Sequence, residues 1–98
     1  PRGLTTSLYE AGSVTVLRLA GALETTSLAA VDAQVEQIAC TDCRQLVVEA
    51  SRLTDLDPAG VEVLVDLAYT MAARGGQLRV RGAAGHVAEM LRGTPLNP

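Results

Sequence analysis

Four features have residue types and spacing suited to chemistry. Cys40-Thr41-Asp42-Cys43 has the CxxC spacing of redox centres and metal knuckles. Asp55 and Asp57 stand two apart, as a carboxylate pair for acid–base or metal work would. Asp57-Pro58-Ala59-Gly60 reads as an abrupt helix start: an N-capping carboxylate, a proline at the first helical position, then two residues almost without side chains. Such a bare first turn offers backbone amides and lets a partner come close. His86, the only histidine, stands near the start of the last predicted helix.

Most of these features also have an ordinary structural reading. The CxxC follows a predicted helix and precedes a strand, so no helix N-terminus favours a thiolate there. A structural zinc needs four ligands, and one histidine gives no second ligand pair, so no metal is expected. Cys40 and Cys43 therefore read as two loop thiols, free in a reducing compartment, with a reversible disulfide as the alternative. Asp55 and Asp57 read first as capping and dipole-compensating charges. His86 has no nucleophile or carboxylate at a telling spacing and reads as a surface or capping residue.

The elements that must position these residues follow from composition and pattern. The 98 residues are expected to form a single domain, 1–98, with its core over about 4–92. Apolar residues make up 48%, yet Trp and Phe are absent and Tyr9 and Tyr69 are the only aromatics, so the core must be aliphatic. All eight basic residues are arginine; with net charge −3 and those arginines scattered along the chain, no footprint for nucleic acid emerges. Few aromatics also means no stacking platform for single strands. No apolar run is long enough to cross a bilayer and no leader peptide is visible, so a cytoplasmic domain without direct membrane contact is expected. The chain opens on Pro1 instead of Met, as a trimmed product or a piece of something longer would.

Leu4 to Tyr9 alternates weakly as a strand, Ala11-Gly12-Ser13 forms a tight turn, and Val14 to Ala20 is a stronger strand ended by Gly21. Thr25 or Thr26 caps a helix with apolar positions Leu28, Val31, Val35 and Ile38, running to about Ala39. Leu46-Val47-Val48 is a strand covered on both faces, followed by a short loop containing Ser51 and Thr54. The helix after Asp57 buries Val61, Leu64, Val65, Ala68, Met71 and Ala72, and Gly75-Gly76 ends it after the basic Arg74. Leu78 and Val80 alternate with Arg79 and Arg81 on a last strand; Val87, Met90 and Leu91 mark a final helix; Gly93-Thr94-Pro95 marks the domain edge. The order β-β-α-β-α-β-α calls for an α/β fold with a mixed sheet.

Val16 to Glu24, then a helix, then Leu46 to Gly60, then Gly75-Gly76-Gln77-Leu78 resemble the STAS domain of bacterial anti-sigma factor antagonists. That family reads as an apolar strand ending in Gly-x-Leu-Asp, a helix, a strand leading into Leu-Asp-Ser-Ser-Gly, and a long helix ending in Gly-Gly. The resemblance implies a small single-domain α/β SpoIIAA-like STAS fold, a mixed four- to five-stranded sheet packed against helices. It implies a protein-binding module and no enzyme, with no cofactor. The implied partner is an anti-sigma factor, a serine kinase with a histidine-kinase-like fold. The implied contact surface is Glu24, Thr25 and Thr26 together with Asp57, Pro58, Ala59 and Gly60. The second serine of the family turn, which the kinase phosphorylates to switch binding off, falls on Ala59, which has no hydroxyl. The usual switch is thus absent. Glu24 replaces the usual Asp, and Asp55 stands where an apolar residue is common. Ser51 and Thr54 are the nearby hydroxyls, and nothing singles them out as phosphosites. The expected state is a monomer or weak homodimer. The alternative is an unphosphorylated STAS subunit of a transporter-associated or stress-signalling complex; a Cys40–Cys43 thiol switch and nucleotide binding at the helix start are more distant ones.

Overall fold

Period-two alternation at the start of the chain produces a hairpin in the computed structural model, which describes residues 3–96. Strands β1 (Leu4–Ala11) and β2 (Val14–Leu23) pair antiparallel across Gly12-Ser13, where Gly12 takes φ 66°, a value open to glycine at no steric cost. A single 3-10 turn (Thr25–Ser27) leads into α1 (Leu28–Ala39), then β3 (Gln45–Leu56), α2 (Pro58–Ala73), β4 (Gln77–Arg81) and α3 (Gly85–Leu91). The sheet order is β1-β2-β3-β4, with β2–β3 and β3–β4 parallel, so the mixed sheet has four strands. Right-handed crossovers that step in one direction along a sheet put α1 and α2 on the same face.

The core is aliphatic and lies between that face and the helices. Leu17, Leu19, Leu46, Val48, Ala50 and Val80 come from the sheet, and Val31, Ile38, Leu64, Leu67, Met71, Val87 and Leu91 from the helices. Each large side chain fully buried here contributes roughly 1.5–3 kcal/mol relative to exposure. On α2 the buried positions are Gly60, Leu64, Leu67 and Met71, at helical spacing, whereas Ala72 faces outward. Val61, Val65 and Ala68 are half-buried at the edge of the stripe. Leu96 is only 3% exposed and joins the same core, so packing continues past Gly93-Thr94-Pro95.

Two strands are longer than their patterns predict. β2 runs through Gly21 to Leu23, and β3 runs to Leu56, so Ser51 and Thr54 sit in a strand and not in a loop. In β3 the cause is two irregularities in the β2–β3 register, between Arg18 and Ala20 and between Gly21 and Ala22. Each inserts an extra β3 residue, which breaks the alternation that marks a strand in sequence. Gly21 takes φ 106° at this kink.

Candidate functional site

The carboxyl ends of β2 and β3 lie side by side, with Leu23 paired to Leu56. The two linkers that leave them meet at once. Asp57 caps α2: its Oδ1 accepts from the Gly60 amide (2.8 Å), with Pro58 opening the helix behind it. Its Oδ2 accepts from the Thr25 amide (3.0 Å) and the Thr25 hydroxyl (3.3 Å), and the Asp57 amide donates to the Leu23 carbonyl (3.2 Å). One carboxylate thus ties the helix start to the 3-10 turn. Hydrogen bonds from Gly60, then from Thr25, hold the Asp57 carboxyl below its ordinary pKa.

The sequence-predicted residues are therefore brought together, with changed roles for several. Thr25 and Thr26 do not cap α1; they form the 3-10 turn ahead of it and are exposed. Glu24 and Ser27 form a reciprocal capping box in which the Glu24 amide donates to Ser27 Oγ (3.1 Å), and Ser27 Oγ donates to the Ala22 carbonyl (2.8 Å). Gly60 is buried, so its expected part in letting a partner approach gives way to packing. A Cβ there would lie 2.6 Å from the Leu23 carbonyl oxygen and 2.9 Å from side-chain carbons of Leu23 and Leu56. Nor are the first-turn amides idle: Gly60 donates to the Asp57 side chain and Val61 to its carbonyl (3.0 Å). Pro58 is exposed and Ala59 half-buried, leaving a small, apolar, rigid step on the surface. Thr54 Oγ1 donates to the Gly21 carbonyl (3.0 Å), and Asp55 is half-buried beside Ala22.

The cysteines lie at the opposite end of the sheet. Cys40 is exposed, Cys43 half-buried, and both are free thiols. Arg74, read from sequence as complementing its own helix, reaches across to this loop. Its guanidinium donates to the carbonyls of Ala39 (3.0 Å), Cys43 (3.1 Å), Thr41 (3.2 Å) and Ile38 (3.4 Å). The Arg74 carbonyl in turn accepts from Arg44 (2.8 Å). Gly75 and Gly76 donate back to Ala72 and Met71, both at 2.9 Å, closing a Schellman end on α2. Gly76 also lies so close to the Arg44 backbone that a Cβ there would collide with the Arg44 carbonyl. His86 is exposed on α3. Sequence reasoning missed Arg74 as a clamp and Ser27 as the capping partner; Glu24-x-x-Ser27 is the capping-box spacing in reverse residue order, the one clue available for Ser27.

A mixed sheet with both crossover helices on one face, and a capped helix start bound to the neighbouring linker where β2 and β3 end, define a STAS-type domain. The family model described as "Mlab, STAS domain" matches residues 6–97, and the chain belongs to that family. The anti-sigma factor antagonist from Mycobacterium paratuberculosis shares the fold at 20% identity, over 97% of this chain and 86% of that one (TM-score 0.74). The anti-sigma factor antagonist SpoIIAA in its unphosphorylated form does so at 16% identity over 94% and 86% (TM-score 0.76). The murine solute carrier 26 member A9 anion transporter also contains this fold, at 14% identity over 92% of this chain but 18% of the transporter (TM-score 0.71). No curated protein matches the sequence significantly. Among the described residues, no helix is long and apolar enough to cross a membrane.

Proposed function

We propose that this domain is a cytoplasmic, non-enzymatic binding module of the anti-sigma factor antagonist type, whose contact surface is the Glu24–Thr26 turn and the Asp57–Ala59 step. The observation that carries the reading is the Asp57 carboxylate, which binds Thr25 and Gly60 at once and fixes two exposed segments in one geometry. A surface ordered before contact loses less conformational freedom on binding. The partner is an anti-sigma factor of the serine-kinase class. Ala59 sits where the family's phosphoacceptor serine would stand, so phosphorylation at the turn does not release the partner. A phosphoserine would be tolerated by the helix dipole but would add nearly two negative charges beside Asp57, and the contact would suffer while the domain stayed folded.

The test is binding to the serine kinases of the source organism, with and without ATP. Wild-type domain is expected to stay bound in both conditions, and Ala59→Ser is expected to be released by ATP. Phosphate incorporated at the wild-type turn overturns the proposal. The second reading is a STAS subunit of a transporter-associated complex, for which the one point of support is the fold shared with part of an anion transporter. Co-purification of a transporter ATPase in place of an anti-sigma factor would establish it.

A further inference from the structure

Helices α1 and α2 and the opposite face of the sheet differ in the sign of their exposed charge. Helices α1 and α2 carry Asp32, Glu36, Glu62 and Asp66, all exposed, and not one basic residue. In each helix the two carboxylates are four apart, a like-charge spacing that mildly destabilises a helix. The face of the sheet turned away from the helices has the opposite character. Strand register sets Tyr9, Val16, Val47 and Arg79 in one row across it, and Ser7, Arg18, Glu49 and Arg81 in the next. Glu49, the one acidic residue in these rows, is bound by Arg81 (2.8 Å), so Arg18 and Arg79 set the sign of the face. Arg18 lies over the Tyr9 ring (5.3 Å to its centroid) and donates to its hydroxyl (3.2 Å). Val16 is 4% exposed yet stands outside the main core cluster, so its cover comes from these neighbours. The surface of this face is thus exposed Tyr9, Arg18 and Arg79 beside the half-buried Val47, and tyrosine and arginine are residue types enriched at interfaces.

We propose that this open sheet face docks on the carboxylate-bearing α1–α2 face of a second copy, head to tail. Charge complementarity within one sequence selects that occupant. Two different patches meet, so the contact is heterologous and repeats unless a ring closes. The proposal is independent of the Asp57 turn and of its partner.

Sedimentation velocity on the purified wild-type chain tests it, from ~10 to ~500 μM at ~20 mM and ~500 mM NaCl, because exposed charge pairs are screened at high salt. The expected mass rises with concentration above the 10.2 kDa of one chain at low salt, and returns to it at high salt. Arg18→Glu/Arg79→Glu spoils only the sheet face and Glu62→Arg/Asp66→Arg only the helix face, so each alone stays at one-chain mass. Mixed, retained face meets retained face and reversed face meets reversed face with opposite charges in both contacts, so heteromeric association above one-chain mass returns. Thermal melts check folding, and the neutral pair Arg79→Gln and Asp66→Asn should weaken association several-fold if the reversals fail to fold. A wild-type mass independent of concentration overturns the proposal, as does association that survives in each reversal variant alone, a mixture that stays at one-chain mass, or a monomer that instead captures an acidic protein.

Discussion

The two ends of the sheet solve the same problem with opposite charges. Where β2 and β3 end, a carboxylate from α2 gathers N–H donors from its own first turn and from Thr25. Where α1 ends, a guanidinium from the end of α2 gathers carbonyls of α1 and of the Cys40–Cys43 loop. Each side chain suits the helix pole it serves, an anion at amide ends and a cation at carbonyl ends. The difference is in what is tied. Arg74 binds four carbonyls and seals one helix end whose loop residues Cys40, Thr41 and Asp42 stay exposed, whereas Asp57 joins two separate exposed segments, at Thr25 and at Pro58, into one surface. One end is a seal on a single loop and the other a display of two segments.

The comparison breaks most violently at Gly60. Gly60→Ala forces a Cβ against the Leu23 backbone, and overpacking of this kind costs about 2–3 kcal/mol, or a melting temperature lower by roughly 8 °C or more. A melt within a degree of wild type would mean that the helix start can shift freely. Next comes the seal. Arg74→Met keeps the aliphatic stem but removes the four hydrogen bonds to the α1 end and the loop, at about 1–2 kcal/mol, and partner binding at the far end should be unchanged. Lost binding there would show that the two ends communicate.

Asp57→Ala should act the other way round, with a modest fall in melting temperature and a large loss of partner binding, because the Thr25 turn is released. Asp57→Asn keeps an acceptor and should retain most of the binding. If both variants bind normally, the bridge is structural only. The pH response is smaller and has a definite sign. Asp57 and Glu49 have folded pKa values below the ordinary carboxylate range, Glu49 chiefly through the Arg81 hydrogen bond. Their contribution to stability is complete above the unfolded pKa and lost as pH falls through the folded values. Urea midpoints should therefore be flat from about pH 7 to 5 and fall below about pH 4, less steeply for Asp57→Asn. The smallest effect is Arg81→Ala, about 0.5 kcal/mol in the same titration, since Arg81 is 62% exposed and solvent screens the pair.

The order of elements was legible because aliphatic periodicity is strong: Leu28, Val31, Val35 and Ile38 could only be a helix, and Gly75-Gly76 could only end one. The capped start at Asp57 was equally plain, since Asp-Pro at a helix entrance has a local cause. The length of β3 was hidden because its extra residues interrupt the period of two. Gly60 was misread for a related reason. A missing side chain looks the same in sequence whether it admits a partner or a neighbouring strand, and Leu23 is far away along the chain. Arg74 was assigned to its own helix because only tertiary packing brings Ile38 to Cys43 within its reach.

Thr25 and Asp57 are separated by 32 residues, with the whole of α1 and β3 between them. Their meeting waits on the parallel pairing of β2 with β3, a long loop closure that local hairpin formation cannot supply. The displayed surface therefore has no precursor in the nascent chain: each segment has its local cap, but the two cannot hold one shared geometry until the middle of the sheet has formed. A synthetic peptide copied from either segment would carry the residues without the shape.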